Sequence, residues 1–295
     1  MAFVRRKIDV TFSLSPDAKD TKFVGTNSST VKLSGLRCSA KISKAGGPSD
    51  CTMDLTIWGM TKSQMNQLST LGMQINLVPK NEVVLEAGDD KTGMTTVFVG
   101  YILAAYADFK SAPEVSFHIS AHAGLPQSVI PAVASSFKGS ADVATIMASL
   151  ATKMGFEFEN NGVDAKLSNP YFSGSYRTQA QACAEAAGIT VFFDLRKLII
   201  WPKNGSRGGQ IPIVSPATGM KGYPSYTAYG IMLETLFNPS INFGNKIKVE
   251  SDLPAACGEW AVYNLDHALE AEMPNGQWFS TIFAYNPKFP TPVLR

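Results

Sequence analysis

The chain has 295 residues, of which 45% are hydrophobic and 17% are charged, and its formal net charge is +2. This length allows two or three domains with cores of their own, and the composition is too apolar for intrinsic disorder. Lys and Arg are spread along the whole chain, which argues against a nucleic-acid-binding surface because such a surface concentrates its basic residues in one patch.

The basic residues of the N-terminal segment Met1–Lys7 are not followed by an apolar core, so we do not expect a signal peptide. No apolar run approaches the roughly 18 residues of a membrane-spanning helix. We therefore expect a protein that is made in the cytoplasm, stays soluble there and does not insert into a membrane.

Residues 1–125 alternate between apolar and polar side chains, which is typical of half-buried antiparallel strands. The run from Val31 to Ser43 changes phase at Ser34-Gly35, where we predict a glycine bulge that bends one continuous strand. The clearest other runs are Ile8–Leu14, Cys51–Ile57 and Val115–Ala121.

A short helix is predicted within this first β region, over Thr61–Leu71, with Thr61 as its cap and Gly72 as its stop. Two further strands, Val83–Leu85 and Thr95–Ala105, flank a glycine-rich turn. One small helix among about six strands is typical of a barrel or a tightly curled sandwich, and we assign residues 1–125 to a first β-barrel domain.

Residues 126–205 predict a small α+β domain. Its first helix is capped by Ser140 in our prediction, and its second helix begins with a capping box formed by Thr178 and Gln181. The remaining predicted elements are a strand and a hairpin, at Phe156–Glu159 and Ile189–Trp201.

The β pattern returns after the glycine-rich loop 204–209 and predicts a second β-barrel domain over residues 206–285. Residues 286–295 contain three prolines and are predicted to form an extended tail. The predicted fold class is therefore mainly β, with two tube-like antiparallel barrels separated by a small α+β module. The strands predicted here are Ile231–Phe237, Lys246–Ser251, Trp260–Leu265 and Trp278–Ala284.

The three histidines are the first candidates for catalysis or metal binding. His118 and His122 share a strand face, but four residues of strand span about 13 Å, too far for both to bind one zinc ion. His267 is predicted to follow the Trp260–Leu265 strand as a hydrogen-bonding strand-end residue. Nucleophile elbows, phosphate-binding loops and zinc-protease motifs are absent from the sequence.

The acidic candidates also favour structural interpretations. Glu157 and Glu159 point to one face of a strand, which we interpret as solvated and not as a glycosidase pair. Asp89-Asp90 in a turn is a weak calcium signal. Ser173–Ser175 is interpreted as a flexible turn and not as a nucleophile. We predict no catalytic, cofactor-binding or metal-binding residue, and no cofactor.

Tryptophan and cysteine leave alternatives open. Core or intersubunit packing explains the tryptophans, and a sugar-binding platform is the alternative. Cys38 and Cys51 lie in predicted strands, and their spacing is compatible with a disulfide as well as with free thiols in a reducing cytosol. The tryptophans are Trp58, Trp201, Trp260 and Trp278.

The last third of the chain carries a specific pattern. A strand ends in Leu233–Phe237, stops at Asn238-Pro239 and returns through a glycine turn into the next strand. The segments that follow it are Gly244–Ser251, Trp260–Tyr263, His267–Leu269 and Gly276–Thr281. This pattern resembles the baseplate hub proteins of contractile-tailed phages and related injection devices. The resemblance is most specific over about 50 residues and extends loosely over the whole chain.

The resemblance implies a homotrimer in which two barrels per chain form a pseudo-sixfold ring. That ring would join the sixfold tail tube to the threefold spike within the virion and pass DNA only as cargo. It further implies that neighbouring chains continue one another's sheets. We hypothesise that the Ser15–Thr30 loop and the tail after Tyr285 order on neighbouring proteins, the tail on the spike. The alternatives are a cell-wall hydrolase of the tail tip and a carbohydrate-binding adhesin.

Overall fold

A computed structural model describes residues 4–16, 21–46, 51–70 and 81–286. The chain divides into two compact units. The first unit comprises Met1–Ser43, Cys51–Pro126 and His267–Phe279, and the second comprises Lys44–Asp50, Gln127–Asp266 and Ser280–Arg295. Among the described residues no helix is long and apolar enough to cross a membrane.

The first unit is built on antiparallel strands, as the alternation of its sequence predicts. Hydrogen bonding follows the strand order β3-β4-β7-β6-β5-β1-β2. The apolar phase of each strand is buried, with Phe12, Leu55 and Phe117 at most 1% exposed. The strands are β1 Arg6–Ser13, β2 Thr30–Ser34, β3 Cys38–Ala45, β4 Cys51–Trp58, β5 Glu82–Asp89, β6 Gly93–Asp108 and β7 Ser116–His122.

The predicted bulge at Ser34-Gly35 is wrong. Gly35, with φ of 69°, separates two strands: β2 pairs with β1, whereas β3 lies beside β4. The phase change therefore marks a change of partner strand and not a bend within one strand.

Helix α1, Lys62–Leu68, has the cap that the sequence predicts. The Thr61 hydroxyl accepts a hydrogen bond from the N–H of Gln64, and the Gln64 side chain accepts one from the N–H of Thr61. The helix ends at Leu68, and the predicted stop at Gly72 lies outside the described residues. A five-residue helix α2, Leu125–Val129, follows β7.

The second unit contains the predicted α+β insertion. Helices α3, Val143–Met154, and α4, Tyr176–Ala187, pack on a three-stranded sheet in the order β10-β14-β13. This sheet is formed by β10 Glu157–Asn160, β13 Ile189–Asp194 and β14 Lys197–Pro202. Four short strands form two further pairs: β8 Ser135–Ser136 with β12 Tyr171–Phe172, and β9 Ser140–Asp142 with β11 Lys166–Ser168.

Both predicted helix starts are wrong by a few residues, although Gly155 and Gly188 end the helices as expected. The cap of α3 is Asp142, which accepts from the N–H of Thr145, and Ser140 lies in a short strand. The cap of α4 is Ser175, which accepts from the N–H of Thr178. Ser175 is 6% exposed, so the Ser173–Ser175 segment is an ordered helix start and not a flexible turn.

The remainder of the second unit is β-structure with its own apolar core, which includes Ile231, Ile247, Trp260 and Ile282. Its strands follow the order β16-β17-β20-β19, with β18 pairing β19 and the short β15. The mainly β fold class with an α+β insertion is therefore confirmed. These strands are β15 Ile213–Val214, β16 Met220–Thr227, β17 Gly230–Leu236, β18 Lys246–Val249, β19 Gly258–Ala271 and β20 Trp278–Tyr285, of which residues 267–271 of β19 and 278–279 of β20 belong to the first unit.

Candidate subunit interface

Strand β2 forms an edge of the sheet in the first unit, which we call the first edge. Within the described part of the chain it pairs along one side only, with β1. The N–H of Leu14 donates to the carbonyl of Ser29 at 2.8 Å, at the start of this ladder. Because bonded pairs alternate in an antiparallel ladder, the N–H groups of Thr30, Lys32 and Ser34 point away from β1.

Lys32 is the charged residue of the first edge, and its charge is neutralised from within the sheet. Its Nζ lies 3.0 Å from Asp9 Oδ2 and 2.8 Å from Glu86 Oε2. The hydrogen bond to Glu86, followed by that to Asp9, raises the pKa of Lys32 above its ordinary value. An edge lysine usually deters strand pairing, but here its side chain forms ion pairs on the sheet face, so it does not block the outward N–H of its own backbone. The outward N–H of Thr30 already donates to Ser28 Oγ at 3.0 Å.

Strand β16 forms a second edge, in the second unit, and pairs along one side with β17 among the described residues. Its register shifts between Lys221 and Ser225. Gly222 has a φ of 68°, and Pro224 has no N–H to donate. The second edge is therefore interrupted by a bulge, which restricts the positions at which another strand can pair with it.

The second edge also carries exposed aromatic side chains. Tyr223, Tyr226 and, in the following turn, Tyr229 are 63%, 62% and 57% exposed. Tyrosines of this kind are common in protein interfaces because the ring buries apolar area while the hydroxyl stays hydrated. The two edges thus differ: one is short and regular, and the other is bulged and rich in tyrosine.

The histidines are engaged in structural contacts. The two ring nitrogens of His118 lie 3.2 Å from Thr56 Oγ1 and 3.0 Å from Ser116 Oγ, and its ring stacks on Tyr106. His122 Nδ1 donates to its neighbouring carbonyl at 3.1 Å. The predicted strand-end position of His267 is wrong, because this residue lies inside β19 and is 4% exposed. No group of three metal-binding side chains occurs among the described residues.

The acidic candidates form local hydrogen bonds and ion pairs. Asp89 accepts hydrogen bonds from two backbone N–H groups of the β5–β6 turn, and these bonds lower the pKa of its carboxyl group. Asp90 forms an ion pair with Lys7. Glu157 forms an ion pair with an exposed lysine. Glu159 was expected to face solvent, but it also has a protein partner. Arg207 holds both Glu159 oxygens, at 2.7 and 2.8 Å, and this contact is the main cause of a lowered Glu159 pKa.

The cysteines are all free thiols. The N–H of Trp58 donates to the carbonyl of Arg37, so the Cys38 end of β3 lies beside the end of β4 remote from Cys51. Seven residues of strand separate the two positions by roughly 20 Å, far beyond disulfide reach. Trp201, Trp260 and Trp278 are only 4–7% exposed, so packing within the fold explains why tryptophan occurs at these positions.

The prediction from sequence missed one buried ion pair, between Lys44 and Asp194 in the second unit. Their charged atoms are 2.7 Å apart, and the side chains are 2% and 3% exposed. A signal was present, because Lys44 continues the apolar phase set by Ala40 and Ile42 in β3. A lysine in that phase requires a buried anionic partner, although the sequence does not say which one.

A family model described as baseplate hub gp41 matches residues 8–276. No curated protein matches the sequence.

Solved phage tail proteins share the fold at low sequence identity. The tail protein from Neisseria meningitidis MC58 is 9% identical with a TM-score of 0.63, covering 97% of this chain and 99% of its own. The 43 kDa tail protein of prophage MuSo2 from Shewanella oneidensis is 10% identical with a TM-score of 0.61, covering 95% and 97%. The E. coli c3393 protein, a type VI secretion component, is 10% identical with a TM-score of 0.58, covering 90% and 76%.

The family match spans most of the chain, and the fold comparison agrees with it. Both are consistent with the resemblance carried by the segment from Ile231 to Thr281. This chain belongs to the baseplate hub family of phage tail proteins.

Proposed function

We propose that this protein is a structural, non-catalytic subunit of the baseplate hub of a contractile phage tail. Three copies form a ring that joins the sixfold tail tube to the threefold spike and encloses the channel through which DNA passes. In this proposal the protein is assembled in the host cytoplasm and resides in the virion, where its neighbours are tube, spike and other baseplate proteins.

The presence of two unlike sheet edges is the observation that carries this proposal. When the first edge of one copy extends the second edge of the next copy, each sheet continues into its neighbour by strand addition. Such a contact is heterologous, and it forms a closed ring when the rotation between copies completes a circle. Two β regions in each of three chains supply six sheet segments, which is the number required to match a sixfold tube.

The polar groups of the candidate catalytic residues support a structural role. His118, Asp89 and Glu159 are each engaged by hydrogen bonds or ion pairs that stabilise the fold. A general acid or base would instead need its proton-transferring atom directed at a bound substrate. We also assign the Ser15–Thr30 loop, which leads into the first edge, to the intersubunit contact; its residues 17–20 lie outside the described part.

The Lys32→Pro variant tests the intersubunit contact. Proline removes an N–H that points away from β1, so the strand pairing within the chain is retained while pairing with another copy is blocked. We expect the wild-type protein to be a trimer and Lys32→Pro to be a monomer in multi-angle light scattering and native mass spectrometry.

The matched control is Lys32→Gln, which removes the same charge and ion pairs but keeps the N–H. It should remain trimeric. Circular dichroism and thermal unfolding check that Lys32→Pro is folded. A folded Lys32→Pro trimer, or a wild-type monomer at high concentration, would contradict the proposed ring contact.

A further inference from the structure

A group of aromatic side chains lies on the sheet of the second unit where β20 ends. We call Tyr229, Tyr263, Phe283 and Tyr285 the aromatic cluster. Tyr263 is its centre: its ring centroid lies 6.3 Å from that of Tyr229, 6.2 Å from that of Phe283 and 6.4 Å from that of Tyr285. These separations are typical of rings in direct contact.

The cluster has a buried base and an accessible surface. Tyr285 is 7% exposed, and its hydroxyl donates to the carbonyl of Gly205. Tyr229 is 57% exposed, and Tyr263 and Phe283 are partly exposed. Three adjacent aromatic rings on a sheet face form an apolar surface of the kind that marks an interaction site.

The sequence that leaves this surface has the composition that aromatic grooves bind. Residues 287–295 read Pro-Lys-Phe-Pro-Thr-Pro-Val-Leu-Arg, and the first four match the spacing Pro-x-x-Pro. Proline-rich segments favour the polyproline II helix and lose little conformational entropy when they bind. Their lysine and arginine side chains can also lie over tyrosine rings.

We propose that residues 287–295 bind the aromatic cluster of their own chain. The segment starts two positions after Tyr285, a member of the cluster, so its local concentration at the cluster is high. Nine residues of polyproline II extend about 28 Å, which is ample to cross rings spaced about 6 Å apart. The spike is the alternative partner that the family resemblance suggests for the same segment. The proposal is independent of ring formation, because it concerns a single chain.

A synthetic peptide of residues 287–295 tests this binding. Fluorescence anisotropy would measure the affinity of the labelled peptide for a protein truncated after Asn286 and for the full chain. We expect the truncated protein to bind the peptide and the full chain to bind it at least about tenfold more weakly, because its own segment occupies the site. Equal binding to both proteins, or no binding to the truncated protein, would overturn the proposal.

Variants of the truncated protein locate the site. Tyr263→Ala should weaken peptide binding about tenfold, the value expected for the loss of stacking worth about 1.4 kcal/mol. Tyr226→Ala is the matched control, because it removes an exposed tyrosine outside the cluster and should leave affinity unchanged. A nearby cleft is lined by Ser206 and Asn286. Loss of binding in Ser206→Trp with full binding in Tyr263→Ala would assign the segment to that cleft and refute the cluster.

Discussion

Removal of the Asp194 carboxylate tests how strongly the second unit depends on its buried ion pair. The carboxylate lies 2.7 Å from Lys44 Nζ, and neither side chain is more than 3% exposed. Asp194→Ala removes this carboxylate from beside a buried lysine, at a site where hydration cannot replace it. We therefore expect the free energy of unfolding to fall by about 3–5 kcal/mol. A loss of that size lowers the urea midpoint by roughly 1–2 M for a protein of this size.

Urea unfolding followed by tryptophan fluorescence measures this loss, because Trp201 lies in the adjoining strand β14. The exposed pair Lys197–Glu157 in the same sheet is the matched control, since its side chains are 39% and 75% exposed. Glu157→Ala should cost less than about 1 kcal/mol. The double variant Lys44→Met/Asp194→Leu should recover most of the stability. The reasoning is refuted if Asp194→Ala and Glu157→Ala have the same small effect.

Two further predictions concern the second unit. Because the pKa of Glu159 is lowered, its carboxylate stabilises the fold fully when the pH lies above 4.5, the ordinary pKa of this group. This stabilisation is lost as the pH falls through the lowered pKa of the folded state. Arg207→Ala removes the main cause of that shift, so its urea midpoint should vary less than wild type between about pH 3 and pH 5; an unchanged pH profile would contradict this. Gly244→Ala places a Cβ 2.8 Å from the Trp201 ring at a φ of +81°, and should lower the unfolding free energy by more than about 2 kcal/mol in the same urea assay. The control Gly155→Ala has a similar φ with open space around the Cβ, so it should cost only about 1 kcal/mol, and equal losses would rule out the steric explanation.

Alternation predicted most strands because it reports burial directly, but it carries no information on partners. The run across Ser34-Gly35 shows the difference. The phase of this run follows from its sequence, whereas its division between β2 and β3 depends on which strands lie alongside. The position of β2 at an edge, among the described residues, likewise depends on those partners and not on the alternation.

Capping residues were harder to predict, because several polar residues compete at each helix start. Ser140 and Asp142 both precede the apolar stripe of α3, and Asp142 caps the helix because Ser140 is already in a strand. At α4 the Thr178–Gln181 spacing suggested a capping box, but Ser175 caps one turn earlier.

Strand β16 was missed because its sequence contains glycine and proline, which normally argue against a strand. On an edge strand both residues are tolerated, since half of the backbone groups need no partner within the chain. The features that hid this strand from prediction are therefore those that make it a candidate interface.

The shortness of β2 bears on how a ring of copies would assemble. Five residues provide only a few intersubunit hydrogen bonds, each worth about 1 kcal/mol, whereas association of two proteins costs at least about 4 kcal/mol of translational and rotational freedom. A single such contact would dissociate readily. The third copy forms two contacts when it closes the ring, but only one further copy loses its translational and rotational freedom. Trimers would therefore accumulate without a populated dimer. Assembly would depend steeply on subunit concentration.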